Sequence, residues 1–203
     1  MPKITAINQQ VKKQDRYSIF VDGKYALSLS SAQLIDCGIA SGDELDSREI
    51  AKLVDLSGYG KMMDRAYNYL SFRPRSKKEV SDYLTKKGCD EPTTQKIINA
   101  LADQNLINDA SFAETWVSER REFQLRSRRQ LEHELRQKGI EKDVIDSTID
   151  GFQGEVETIK NLVTKKSLAQ KYATRERLIA YLSSKGFRFS DIRAALEQLE
   201  QKS

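Results

Sequence analysis

One pattern of 13 residues occurs three times in this chain of 203 residues and constrains its fold more than any other feature. Residues 76–88, 127–139 and 174–186 each begin with serine or threonine and end in Lys-Gly, and the closing glycines are 51 and 47 residues apart. A period of this length is typical of tandem helical units, which bury their apolar faces by stacking on their neighbours. The sequence therefore predicts a mainly α protein with three tandem repeats in an elongated array.

Each copy of the pattern predicts one short helix. Ser76 with Glu79 and Ser127 with Gln130 match the capping box, while Thr174 keeps only the capping hydroxyl. The Lys-Gly ending places a cation and a left-handed residue at the helix C-terminus. Apolar pairs four residues apart share one face of each helix. These pairs are Val80/Leu84, Leu131/Leu135 and Leu178/Leu182.

Two further helices complete each predicted repeat. Upstream helices are predicted over residues 61–72, 111–123 and 159–171. Apolar residues downstream of each glycine predict the third helix: Ile98, Ile149 and Leu196, then Leu101, Phe152 and Leu199. The predicted repeats span residues 61–107, 109–153 and 157–201.

The first 58 residues predict a small α+β domain. Residues 4–7 and 17–21 are rich in β-branched and aromatic residues and predict strands, and Asp22-Gly23 before residues 24–29 predicts a type I′ hairpin turn. A short helix is expected from Ser30 or Ser31 to Gly38, and another from near Ser47. The run Ser57-Gly58-Tyr59-Gly60 is interpreted as the domain boundary.

Several functional classes lack support in the sequence. No stretch resembles a signal peptide or a membrane span, so a cytoplasmic protein without membrane contact is expected. Cys37 and Cys89 have neither disulfide-framework nor metal-ligand spacing and are interpreted as core residues. His133 lies opposite the Leu131/Leu135 face and is expected in solvent. Without a phosphate loop, a metal-ligand cluster or a nucleophile–base pair, we expect a non-enzymatic protein without cofactors.

A basic cluster recurs around the junction of the first and second helices of each repeat. The net charge is only +4, which permits contact with nucleic acid or an acidic protein without demonstrating it. Stacking could merge the clusters into a stripe suited to phosphates or to an acidic helical surface, whereas the alternative is solvated helix ends. The candidate contact residues are Arg73, Arg75, Lys77, Lys78, Arg120, Arg121, Arg126, Arg128, Arg129, Lys171, Arg175 and Arg177, with Lys165 and Lys166 nearby.

Two expectations about side chains follow. The aromatic residues Trp116, Tyr67, Tyr69 and Phe72 lie at helical spacing and are expected in the core rather than as base-stacking platforms. Arg126, Arg128 and Arg129 lie off the core face of their helix. Reversing these three charges is therefore expected to remove function without disturbing the fold.

The order of the motifs resembles the RecX family of regulatory proteins. The resemblance rests on residues 69–76, 79–80, 84–88, 109–113 and 134–140, and extends over about residues 60–200. Residues 20–27 and 42–45 also resemble the variable N-terminal domain of that family. The second repeat of the family commonly has glycine before its basic pair, where this sequence has residues 124–127.

The resemblance implies a modulator of the RecA recombinase. Such a protein lies in the groove of the RecA–DNA filament and limits filament growth, strand exchange, ATP hydrolysis and coprotease activity. The implied partners are the RecA filament and DNA within that filament, and the protein is expected to be a monomer. The alternative is a nucleic-acid-binding module that acts by direct occupancy of DNA.

Overall fold

The computed structural model describes residues 1–150, 154–172 and 174–201, and these confirm the predicted mainly α class with an N-terminal α+β part. They form two compact units, one of Met1–Arg73 and Tyr83–Ala100, the other of Pro74–Asp82 and Leu101–Ser203. The strands are β1 (Ile4–Gln9), β2 (Arg16–Val21) and β3 (Lys24–Ser30). The helices are α1 (Ser31–Cys37), α2 (Ser47–Leu70), α3 (Lys77–Lys86), α4 (Glu91–Asp103), α5 (Asp109–Glu119), α6 (Arg128–Gln137), α7 (Lys142–Asp150), α8 (Glu155–Lys165), α9 (Leu168–Lys171), α10 (Arg175–Ser184) and α11 (Phe189–Glu200), with a π-helical turn at Arg120–Gln124.

The three strands form an antiparallel sheet in the order β1-β2-β3. Asp22 and Gly23 both have positive φ, 49° and 76°, as a type I′ turn requires, so the predicted hairpin is confirmed. The N-terminal core lies on the face of the sheet that α1 and α2 cover. Its buried members are Ile4, Ile19, Leu27, Leu29, Leu45 and Leu53.

Helix α1 has the predicted ends. The side chain of Ser30 accepts a hydrogen bond from the backbone N–H of Gln33, and the backbone N–H of Ser30 donates to the Gln33 side chain. Gly38 follows the helix with a φ of 62°. Helix α2 then begins at Ser47, as predicted, with Asp46 as its cap.

Helix α2 continues through Ser57-Gly58-Tyr59-Gly60, the run that the sequence suggested as the domain boundary. Ser57 is buried, and its hydroxyl donates to the carbonyl oxygen of Ser28 at 2.8 Å. A Cβ on Gly60 would lie 2.6 Å from Oε1 of Gln33. The small residues therefore let α2 approach β3 and α1 closely, and the predicted end of the first domain at residue 58 falls inside a helix.

The three copies of the sequence pattern form α3, α6 and α10. Ser127 and Gln130 make the complete capping box, and Thr174 accepts a hydrogen bond from the backbone N–H of Arg177. The closing glycines Gly88, Gly139 and Gly186 have φ values of 81°, 77° and 87°. The apolar pairs of all three helices are buried. At α3 the Ser76 hydroxyl accepts the backbone N–H of Glu79. The three predicted helices, their capping hydroxyls and their left-handed closing glycines are therefore confirmed.

The second and third repeats each enclose an apolar cluster. The buried residues of the second cluster are Phe112, Ala113, Val117, Leu131, Leu135, Ile140, Ile145 and Ile149. Those of the third are Leu125, Ile159, Leu162, Val163, Leu168, Leu178, Leu182, Phe187, Ile192, Ala195 and Leu196. Phe152, predicted to be apolar in the second repeat, lies outside the described residues.

The first helices of these two repeats are less regular than predicted. Residues 111–123 are divided between α5 and the π-helical turn, and residues 159–171 between α8 and α9. Ser167 separates the latter two helices with a φ of 47°. In the described parts of the chain, no helix has the length and apolar character to cross a membrane.

Candidate partner-binding surface

A buried serine at the start of the middle helix joins successive repeats. The hydroxyl of Ser76 donates to the carbonyl oxygen of Lys138 at 2.7 Å, and the hydroxyl of Ser127 donates to that of Lys185 at the same distance. Each hydroxyl also accepts the N–H of its own helix three residues on, from Glu79 and Gln130. The capping side chain thus binds its own helix and the end of the next middle helix.

A second contact repeats beside the first. The backbone N–H of Lys77 donates to Oδ1 of Asp109 at 2.9 Å, and that of Arg128 donates to Oε1 of Glu155 at 2.7 Å. Each carboxylate belongs to the first residue of the next repeat's first helix. Burial raises the pKa of Glu155, and the negative charge of nearby Asp191 raises it further. The hydrogen bond from the backbone N–H of Arg128 lowers this pKa, but the net change is upward.

Glycine is required where the repeats meet. A Cβ on Gly139 would lie 2.6 Å from Cβ of Lys78, and one on Gly186 would lie 2.9 Å from Oγ of Ser127. Gly88 also has positive φ, but a Cβ there would meet no atom within 4 Å among the described residues. These contacts hold the basic cluster of one repeat against the Lys-Gly end of the next.

The first basic cluster is only partly available to a partner. Arg73 and Arg75 are half-buried, and Lys78 pairs with Asp82 at 2.6 Å. Lys138 of the second repeat pairs with Glu79 at the same distance. The side chain of Lys77 is exposed and has no ion-pair partner in the described chain.

Glu134 organises the second basic cluster. Its carboxylate pairs with Arg120 at 3.2 Å and Arg126 at 3.3 Å, and it accepts a hydrogen bond from Nε1 of Trp116 at 2.9 Å. The guanidinium carbon of Arg120 lies 4.1 Å from the centroid of the Trp116 ring. Two cations that the sequence suggests for a partner are thus engaged within the fold.

Arg128 is engaged in the same way. It pairs with Glu132 at 3.2 Å and with Asp150 at 2.7 Å, and the hydrogen bond to Asp150 raises its pKa. Reversing Arg126 and Arg128 would therefore set carboxylates against carboxylates, so these ion pairs predict a loss of stability for those two residues instead of an undisturbed fold. Arg129 is exposed and has no ion-pair partner among the described residues.

The third cluster is the most exposed. Lys165, Lys166, Lys171 and Arg177 are exposed and have no ion-pair partner in the described part of the chain. Arg175 pairs with Glu200 at 3.1 Å. The merging of the three clusters into one stripe stays a prediction.

The aromatic residues that the sequence placed in the core lie in different environments. Phe72 is 82% exposed and Tyr67 is 40% exposed, so placing these two rings in the core is wrong. Phe72 lies two residues after Leu70, the last residue of α2. Trp116 and Tyr69 are half-buried, and Tyr69 stacks on Tyr83 with 4.1 Å between ring centroids.

The remaining predicted residues are placed as expected. His133 is exposed, Cys89 is buried, and the half-buried Cys37 packs against the N-terminal core. Within residues 1–150, 154–172 and 174–201, no group of histidine, cysteine and carboxylate side chains could hold a metal ion.

The fold defines a helical-repeat protein whose repeats join at basic helix ends. Three family models match it: the RecX N-terminal domain over residues 2–46, the first RecX three-helix domain over 63–101 and the second over 108–149. The regulatory protein RecX of Bacillus subtilis (strain 168) is 34% identical over 98% of this chain and 78% of its own. That of Listeria monocytogenes serotype 4a is 31% identical over 91% of this chain and 71% of its own. The chain belongs to the RecX family of regulatory proteins.

Solved structures agree with this assignment. A crystal structure of regulatory protein RecX superposes with a TM-score of 0.80 at 28% identity, covering 97% of this chain and 100% of the other. RecX from Lactobacillus salivarius gives a TM-score of 0.64 at 26% identity, covering 70% of this chain and 97% of the other.

Proposed function

We propose that this protein is a regulator of the RecA recombinase that binds RecA–DNA filaments. It inhibits strand exchange, ATP hydrolysis and coprotease activity, and so modulates homologous recombination, DNA repair and the SOS response. It acts in the cytoplasm, as a monomer, without catalysing a reaction. The observation that carries the proposal is the match to the RecX family along nearly the whole chain.

The exposed cations support a role for the helix ends in binding. Among the basic residues that the sequence suggested for contact and the neighbouring Lys165 and Lys166, six are exposed without an ion-pair partner in the described residues: Lys77, Arg129, Lys165, Lys166, Lys171 and Arg177. Because their charges are not compensated within the fold, they are better placed than Arg120, Arg126 or Arg128 to meet an acidic surface or a phosphate.

Strand exchange by RecA between a single-stranded circle and a linear duplex tests the proposal. The purified protein should inhibit exchange at concentrations well below that of RecA, because a filament regulator acts on a polymer. Lys77→Glu combined with Arg129→Glu should weaken the inhibition, whereas Lys24→Glu, on an exposed residue of β3, should not. Unchanged strand exchange at equimolar protein would exclude the proposed function.

The same exposed cations also favour a second candidate, a module that occupies DNA directly. It predicts tight binding to DNA without RecA and a steep loss of affinity with salt. Each neutralised phosphate contributes a slope of about −0.9 on duplex DNA and about −0.7 on single strands in a plot of log affinity against log salt. Weak binding with a shallow slope, together with inhibition of RecA, would exclude this candidate.

A further inference from the structure

Two phenylalanines are exposed at the same position of successive repeats. Phe72 and Phe123 each stand four residues before a capping serine and begin the sequence Phe-x-x-Arg-Ser. Their side chains are 82% and 76% exposed. A single exposed apolar side chain needs no explanation, but the same exposed ring at equivalent positions of two repeats does. The third repeat has Gln170 at this position.

The backbone around Phe123 fixes where its ring stands. Phe123 belongs to the π-helical turn Arg120–Gln124, and Leu125 follows it with a φ of 52°. Leu125 is buried in the apolar cluster of the third repeat, and its backbone N–H donates to the carbonyl oxygen of Arg120. A left-handed leucine and a π-helical turn are both costly, and such features concentrate at functional sites. Burial of Leu125 therefore stabilises a turn in which the ring of Phe123 is exposed to solvent.

The charges near the rings favour a protein partner over nucleic acid. Nucleic-acid affinity comes largely from cations that neutralise phosphates. Near Phe123, however, Arg120 and Arg126 already share the carboxylate of Glu134, and Arg129 remains as an exposed cation without an ion pair among the described residues. Exposed aromatic residues are enriched in protein–protein interfaces, so the scarcity of unpaired cations near Phe123 in the sequence favours a protein partner.

We propose that Phe72 and Phe123 are anchors that enter equivalent apolar pockets on two subunits of a polymeric protein partner. Each pocket carries carboxylates at its rim, which meet Lys77, five residues after the first anchor in the sequence, and Arg129, six residues after the second. Two copies of one motif in a chain suit a partner that presents the same surface repeatedly, since the second contact is then made at high effective concentration. This inference rests on the proposed function, because a RecA filament is such a polymer.

The test measures binding of the full chain to RecA filaments assembled on oligo(dT) with a non-hydrolysable ATP analogue. Phe72→Ala and Phe123→Ala should each lower the affinity about tenfold or more, as expected for a hot-spot aromatic, and the double variant should lose more than either. The matched control is Phe189→Ala. Phe189 is also an exposed phenylalanine, 62% exposed at the start of α11, but it is followed by Ser190-Asp191 and does not begin the sequence Phe-x-x-Arg-Ser. All variants should keep the parent melting temperature, since none removes a buried ring.

The outcomes separate the two proposals. If the parent chain binds filaments and the double variant binds equally well, Phe72 and Phe123 are not anchors, while the proposed function stands. If the double variant loses the same affinity for free oligo(dT) but not for an abasic oligomer, the rings stack on bases and the protein-pocket inference is wrong. If the parent chain does not bind filaments, the proposed function fails and the anchors fail with it.

Discussion

The hydroxyl of Ser127 lies 2.7 Å from the carbonyl oxygen of Lys185 and donates to it, while the same hydroxyl caps α6. Ser76 and Lys138 repeat this relationship one repeat earlier. One side chain therefore ends one helix and joins it to the next repeat.

Replacing Ser127 by alanine tests this double role. The change removes a helix cap, worth about 1 kcal/mol, and leaves the partly buried carbonyl of Lys185 without its donor, which adds a cost of up to about 1–3 kcal/mol. Thr174→Ala is the matched control, because Thr174 caps α10 but is exposed. Urea unfolding should show a greater loss for Ser127→Ala, and equal losses would refute the joining role.

The glycines offer a second comparison. Gly139→Ala and Gly88→Ala both force alanine into a left-handed conformation, at about 1 kcal/mol each. Only at Gly139 would the new Cβ meet Lys78, at 2.6 Å, so this variant should be the less stable by about 1–2 kcal/mol. Thermal unfolding of the two variants measures which is the less stable. Equal melting temperatures, or a lower one for Gly88→Ala, would show that the close approach at Gly139 does not exist.

Charge reversal should lower the unfolding free energy at an ion-paired arginine and leave it nearly unchanged at an exposed, unpaired one. Arg126→Glu places a carboxylate beside Glu134 in a half-buried setting and should cost about 1–2 kcal/mol of unfolding free energy. Arg129→Glu should leave stability within about 0.5 kcal/mol, since it breaks no described ion pair. Chemical denaturation of both variants in low and high salt provides the measurement. An Arg126→Glu protein as stable as the parent would show that the Arg126–Glu134 pair contributes nothing to stability.

The raised pKa of Glu155 predicts a pH dependence. Because the fold disfavours its ionised form, the contribution of this residue to stability is greatest below the ordinary pKa of about 4.5 and is lost as the pH rises through the raised value. Glu155→Gln keeps an acceptor for the N–H of Arg128 and carries no charge. The variant should therefore melt higher than the parent at pH 7, and the gain should vanish near pH 4.

The control for this comparison is Glu141→Gln, which changes an exposed carboxylate. Its melting temperature should follow that of the parent at both pH values. A Glu155→Gln protein that is less stable than the parent at pH 7 would mean that the charged hydrogen bond to Arg128 outweighs the cost of burial.

Local signals in the sequence predicted local structure well. Asp22-Gly23, the capping serines and the Lys-Gly endings act within a few residues, so the hairpin and the three middle helices could be placed from the sequence. Ser57 and Gly60 failed as boundary signals because their role is tertiary: they let α2 approach β3 and α1.

The candidate site was less predictable because ion pairs join distant residues. Nothing local shows that Glu134 binds both Arg120 and Arg126, or that Arg128 reaches Asp150. The exposed rings of Phe72 and Phe123 were missed as well. The shared Phe-x-x-Arg-Ser sequence was the available signal, since it places an aromatic residue outside the apolar spacing of the neighbouring helices.

The most direct test of the central claim is a titration of the purified chain into RecA hydrolysing ATP on single-stranded DNA. A filament regulator should suppress hydrolysis when the protein is well below RecA in concentration. Lys77→Glu with Arg129→Glu should shift the inhibition to higher protein concentration without changing the melting temperature. ATP hydrolysis that stays at the uninhibited rate with equimolar protein would contradict the account.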